Sequence, residues 1–170
     1  GRLSLQYSEG SLWNICLGNE EIIRRIYIVF QDINWTSRPF NILNETWDIQ
    51  DDQFYAELDL SGTKDATAFQ VKLHISGSSD GVISYGFKGT SSADFMRNRL
   101  GLCLLHPIAD LAGKPCTLTL SDRSLVSSQF PLEISPLQPF KNLLGMSYKI
   151  STGELANIEF SGEIFETEDH

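Results

Sequence analysis

The sequence predicts an all-β protein: a two-sheet antiparallel β-sandwich, supersandwich-like, of about 12 strands with little helix. Three observations carry that prediction. Short alternating or apolar runs recur about every ten residues, with Gly, Asn, Asp and Ser between them. No stretch sustains a helical period over three turns. A single sheet of this many strands would leave a large apolar face open, so two stacked layers are favoured.

The elements follow in order. Leu3 to Tyr7 alternates, Leu-Ser-Leu-Gln-Tyr, and a Ser-Glu-Gly turn leads to Leu12 to Leu17, a hairpin candidate that ends at Gly18-Asn19. Arg25 to Phe30 is rich in β-branched and aromatic residues, and Ile22 to Arg25 leads into it as strand or turn. Asp32 to Pro39 reads as a loop. Phe40 to Asp48 and Phe54 to Leu60 are the next strands. In Phe69 to Ser76 the residues Phe69, Val71, Leu73 and Ile75 share one face, with Gln70, Lys72 and His74 on the other. A Gly-Ser-Ser-Asp-Gly turn at 77–81 joins that strand to Val82 to Lys88, the strongest hairpin signal in the chain.

Ser91 to Met96 reads as a loop or one helical turn. Arg99 to Leu105 is a strand, and Ile108 to Gly113 a short helical or turn segment. Cys116 to Ser121 and Ser127 to Phe130 are strands. Three prolines make Pro131 to Phe140 irregular, because each removes a ladder donor. Met146 to Ile150 and Leu155 to Phe165 complete the set.

Length and composition fit one domain over residues 1–170, since 170 residues with 41% hydrophobic content can bury a core without staples. Thirteen Lys and Arg against 22 Asp and Glu give a net charge of -9. That balance argues against nucleic acid and against an anionic membrane surface. Cys16, Cys103 and Cys116 show no CxxC spacing and read as small apolar residues rather than a disulfide framework or a metal site. No cofactor motif is present: no Walker loop, dinucleotide fingerprint, GxSxG or HExxH. No signal or membrane-spanning segment is visible, so a cytoplasmic location is expected. The sequons at Asn34 and Asn44 read as chance matches.

Candidate site residues are few. Met96 to Pro107, MRNRLGLCLLHP, carries Arg97 and Arg99 into the most apolar stretch. An arginine entering a core must be paired, so Arg99 is expected to be buried against a carboxylate; the alternative is that Arg97 or Arg99 clamps an anionic ligand. His106 caps the strand end, hydrogen-bonded to a carbonyl, or acts as a general base with Glu57 and His74 nearby. Asp32, Trp35 and Arg38 form a polar loop around an indole. The loop is a candidate ligand or interface surface, although a tryptophan folded back over the core is the more ordinary arrangement. Glu166 and Glu168 belong to an acidic end that reads as a solvated tail or as the boundary where a domain has been cut from a longer multidomain protein.

Several blocks together resemble one family. They are Arg24-Arg25-Ile26-Tyr27 with Asp32-Ile33-Asn34-Trp35, then Asp94-Phe95-Met96-Arg97-Asn98-Arg99-Leu100-Gly101-Leu102-Cys103-Leu104-Leu105-His106-Pro107. Gly113-Lys114-Pro115-Cys116, Phe130-Pro131, Gln138-Pro139-Phe140-Lys141 and Gly162-Glu163-Ile164-Phe165 follow. In this order they resemble the amino-terminal region of the D-apionate lactonase-like bacterial proteins. The resemblance implies a non-catalytic amino-terminal β-sandwich, followed by a (β/α)-barrel that opens the lactone of a branched-chain sugar acid. The barrel would be the intramolecular partner, and a carbohydrate or sugar acid the ligand. Barrel catalysis sits at the ends of barrel strands, so no catalytic residue carries over to this segment. Three other readings fit the residues alone: a stand-alone carbohydrate-binding sandwich using Trp13, Trp35, Trp47 and the five tyrosines, a sugar-epimerase-like enzyme using His106, His74 and Glu57, and a purely structural or interaction domain with an exposed apolar patch.

Overall fold

A computed structural model describes residues 2–64, 67–135 and 138–168. Pro136 and Leu137 of the proline-rich stretch, and Asp169 and His170 of the acidic end, lie outside the described residues. The chain divides into two compact units, Gly1–Leu105 and His106–His170.

In the first unit, the strands β1 (Leu3–Ser8), β2 (Ser11–Leu17), β3 (Glu20–Asp32) and β8 (Arg97–Leu105) form one antiparallel sheet in the order β1-β2-β3-β8. The second sheet is a meander of β4 (Asn41–Ile49), β5 (Gln53–Lys64), β6 (Thr67–Ser78) and β7 (Ile83–Ser91). Alternation decides which face is buried. Phe69, Val71, Leu73 and Ile75 of β6 are each at most 5% exposed, as are Ala56, Leu58 and Leu60 of β5. Burying each of the larger apolar side chains contributes about 1.5–3 kcal/mol.

The two sheets close on each other through aromatic contacts. Phe30 of β3 meets Phe69 of β6 edge-on at 4.7 Å between ring centroids, and Phe95 caps both at 5.6 and 4.5 Å. Tyr7 of β1 meets Trp47 of β4 at 4.8 Å. The Tyr85 hydroxyl of β7 donates to the carbonyl of Gly10 in the β1–β2 turn. Edge strand β4 is exposed along its whole length, and its Glu45 and Asp48 charges discourage further strand pairing.

The second unit holds α1 (Ile108–Leu111), β9 (Pro115–Leu120), β10 (Leu125–Gln129), β11 (Leu143–Lys149) and β12 (Leu155–Glu159), with the sheet order β10-β9-β11-β12. Leu118, Leu143, Met146, Tyr148 and Phe140 are buried there. Gly145 is required by the register. A Cβ at this position would stand 2.6 Å from the Ile158 carbonyl oxygen of the neighbouring strand.

Among the described residues, the all-β class, the twelve strands and the scarcity of helix match the sequence reading, as does the short helix after Pro107. The strands group into three sheets of four rather than two. Alternation reveals that a strand buries one face but not which sheet it joins, so β9–β12 could not be separated from the rest. Several boundaries also differ, among them those of β3 and β12. Strand β3 begins at Glu20 because its backbone pairs with β2 directly after the Gly18–Asn19 turn, Leu17 against Glu20 and Cys16 against Glu21. Strand β12 ends at Glu159 rather than at Phe165. Gly162 has φ +94°, and the chain folds back so that Phe160 and Phe165 stack at 4.3 Å.

Candidate functional site

The loop after β3 is organised by Asp32, whose side chain is 1% exposed. Its Oδ1 accepts the backbone N–H groups of Asn34 and Thr36 at 2.9 and 3.1 Å. Its Oδ2 accepts Arg38 Nε at 3.1 Å and Nη2 at 2.7 Å. A carboxylate that accepts backbone N–H bonds from residues just ahead is the usual reason Asp begins a turn. The Arg38 hydrogen bond is the main cause holding the Asp32 carboxyl below its ordinary range, with the two backbone bonds adding to it and burial opposing it.

The turn forces Trp35 to φ +64°, a conformation uncommon for a bulky residue. The indole is 58% exposed. The expectation that it folds back over the core is therefore corrected: the Asp32-centred turn aims it outward. The Arg99 guanidinium lies 4.9 Å from the indole ring centroid, a cation–π contact. Arg99 is half-buried rather than buried, and Asp32, the buried carboxylate beside β8, takes Arg38. Arg97 is exposed and stands opposite Asp32 in the β3–β8 register. The structure thus gathers Asp32, Trp35, Arg38, Arg97 and Arg99 at one end of the β3–β8 pair.

Sequence reasoning missed a second cationic feature on the same strand pair. The Arg25 guanidinium lies 4.0 Å from the Trp13 ring and 4.0 Å from the Tyr27 ring, with Nη2 donating to Ser11 Oγ at 3.2 Å. Burial, followed by a hydrogen bond with Cys103, pushes the Tyr27 phenol up to about 12. The signal was available in the register, because Trp13 and Arg25 are direct cross-strand partners.

Glu57 lies on the outer face of the second sheet, directly opposite His74. The Tyr55 hydroxyl donates to Glu57 Oε1 at 3.0 Å and lies 3.1 Å from His74 Nδ1, and His74 Nδ1 is 3.2 Å from Glu57 Oε1. Burial first, then the Glu57 hydrogen bond, raises the Tyr55 pKa. Beside this trio is a shallow groove of about 300 Å³ lined by Tyr55, Asp48, Gln50, Gln53, Ser76 and Ser78, among others; neither Glu57 nor His74 lines it.

His106 belongs to the second unit. Its Nδ1 is 3.3 Å from the Tyr148 hydroxyl, so the hydrogen-bond partner is a phenol rather than the expected carbonyl. Its ring lies against Phe130 and Tyr148 at 5.9 and 5.7 Å. Burial lowers its pKa to about 4, which leaves the imidazole neutral and weakly basic at neutral pH. Glu166 is exposed and Glu168 half-buried. The segment around them is tied down by the Leu143–Phe165 bridge and by Thr167 N–H donating to the Phe140 carbonyl at 2.9 Å. Among the described residues no group of three His, Cys, Asp or Glu is placed to hold a metal, and no helix is long and apolar enough to cross a membrane.

Comparison with known proteins adds the family. The profile described as "D-apionate lactonase, N-terminal domain" matches residues 1–170. A D-apionate lactonase of Brucella anthropi is 29% identical over 170 residues, which is 99% of this chain and 28% of the relative. The chain therefore spans less than a third of the length of the curated relative it matches. No solved structure matches the chain. On the full-length family match, the chain belongs to the D-apionate lactonase N-terminal domain family.

Proposed function

We propose that this chain is the non-catalytic amino-terminal β-sandwich module of a D-apionate lactonase-like sugar-acid hydrolase, and that it packs on a catalytic (β/α)-barrel in the same polypeptide. The observation that carries the reading is the match over residues 1–170 to an amino-terminal domain family, combined with coverage of only 28% of the relative's length. The positions of the candidate groups favour it. Lactone opening needs a nucleophile or activated water, a proton acceptor and a stabiliser of the developing oxyanion converging on one carbonyl. Each candidate group is engaged within its own unit: His106 packs against two aromatic rings, Glu57 is shared by Tyr55 and His74, and Asp32 is consumed by its own loop. The Trp35–Arg99 end of the β3–β8 pair is the surface we assign to contact with the barrel or its pocket rim, because exposed indole and arginine side chains are typical interface anchors.

The epimerase-like reading is disfavoured by the His106 surroundings, since a base for proton abstraction works best with a pKa near the operating pH. Deleting residues 1–170 from a longer protein that contains them tests the proposal. The remainder should lose soluble yield and thermal stability while retaining the groups that open the lactone. If the 170-residue chain carried the whole activity and the remainder none even when folded, the proposal would be wrong.

A further inference from the structure

We propose that the groove on the outer face of the second sheet is a binding site for a single ring of a neutral, polyhydroxylated ligand of the saccharide class. It lies on the first unit, away from the Trp35–Arg99 end, and does not depend on the reading of the chain as a hydrolase module.

The groove is built from two turns held together. Ser79 N–H in the β6–β7 turn donates to the Asp52 carbonyl in the β4–β5 turn at 2.7 Å, and Gln50 N–H donates to the Gln53 carbonyl at 2.9 Å. The floor is tight. A Cβ at Gly77 would stand 2.3 Å from the Phe54 ring, so the glycine lets the ring lie under the groove. The side chains are ordered by one another: Gln53 Nε2 donates to Gln50 Oε1 at 2.8 Å, and Gln50 Nε2 to Asp48 Oδ2 at 3.3 Å. Groups held in place before binding lose little entropy when a ligand arrives.

Tyr55 supplies the platform. Its ring is 44% exposed, yet its hydroxyl is fixed between Glu57 and His74, so the ring cannot swing freely. The His74 ring lies nearly parallel to it, at 25° and 6.4 Å between centroids. His74 buttresses Tyr55 from outside the groove, and the exposed face of the Tyr55 ring suits the apolar C–H face of a sugar.

The polar lining fits hydroxyl groups. Asp48 offers acceptors only, the Gln50 and Gln53 amides both donors and acceptors, the Ser76 hydroxyl both, and the Ser78 hydroxyl, whose proton goes to Asp80, an acceptor. A vicinal diol needs that mixture. A volume near 300 Å³ is at the lower end of small-molecule sites, roughly 300–1,000 Å³, and matches one ring rather than a chain of them. Charge selects the neutral form. Asp48 lines the groove, and Asp80 accepts the Ser78 hydroxyl at its rim, so a carboxylate ligand would meet like charge.

The test is a titration of the isotopically labelled 170-residue chain followed by heteronuclear NMR, with D-glucose and D-xylose as neutral probes and D-gluconate as the anionic one. Saturable shifts are expected at the amides of Gln53, Tyr55, Ser76 and Ser78 with a neutral sugar, and weaker ones with gluconate. Tyr55→Ala and, at the exposed start of β5, Gln53→Ala should each raise Kd about tenfold or more. Lys72→Ala, on the same sheet face but outside the groove, should leave Kd unchanged. Absence of saturable shifts, equal binding by both groove variants and the wild type, or tighter binding of gluconate would each overturn the proposal.

Discussion

Asp32 takes two donor nitrogens of Arg38, Nη2 and Nε, on a single oxygen, Oδ2, at 2.7 and 3.1 Å, and keeps Oδ1 for the backbone of the loop the two residues share. One buried carboxylate thereby closes the turn, fixes its exit and holds Trp35 in the left-handed region facing outward.

Breaking that carboxylate should loosen the loop before it affects the sheets. In Asp32→Asn the amide can still accept through one oxygen but loses the charge that Arg38 answers. Hydrogen exchange at Asn34 and Thr36 should accelerate, and the thermal midpoint should fall. The pH sign follows from the lowered carboxyl pKa: Asp32 contributes stability above its ordinary value, which is lost as pH falls through the lowered folded value. Unchanged exchange at both amides in the variant would contradict this role.

His106 gives a separate pH window. Its pKa is about 4 in the folded chain against an ordinary value of 6.5, so between those values the unfolded chain binds the extra proton and the folded chain does not. Stability should therefore fall as pH drops from 6.5 towards 4, by up to roughly 3 kcal/mol. Denaturant titrations over that window should show the slope in the wild type and its loss in His106→Gln. A wild-type stability that rises on acidification would be the wrong sign.

Two glycine and core substitutions test the packing. Gly145→Ala puts a methyl 2.6 Å from a carbonyl oxygen of the adjacent strand, where backbone must move, and should cost about 1–3 kcal/mol. Phe30→Ala removes the ring shared by Phe69 and Phe95 and should cost about 3–5 kcal/mol. Urea midpoints of the two variants give both values. A neutral Gly145→Ala would mean that the β11–β12 register differs from the one described.

Much of the fold was legible in the residues. Phe69 to Ser76 announces its buried face by strict alternation, and the Gly-Ser-Ser-Asp-Gly run at 77–81 announces the turn, with Gly81 at φ +96°. The partition into three sheets was not legible, because strand partners are set by long-range register that one strand's pattern does not encode. The same limit governed the site. Arg99 looked like a buried charge because its segment is apolar, but its partner ring, Trp35, comes from a loop more than sixty residues away in sequence that only the β3–β8 pairing brings close. The meeting of Glu57 with His74 likewise needed the β5–β6 register, and Tyr55 was one of five tyrosines not distinguished from one another until that register set its hydroxyl between them. What pointed to the family was the contiguous block from Asp94 to Pro107 with its flanking motifs, a local signal that survives without knowledge of pairing.

The central claim is that the chemistry of the family lies outside this module. Its most direct test is lactone opening by the purified 170-residue chain, measured as proton release with the lactone of D-apionate as substrate, beside a longer protein that contains the same residues. The account predicts activity in the longer protein and none above the uncatalysed rate in the 170-residue chain. Comparable turnover by the chain alone would contradict it and would place the catalytic groups among the residues described above.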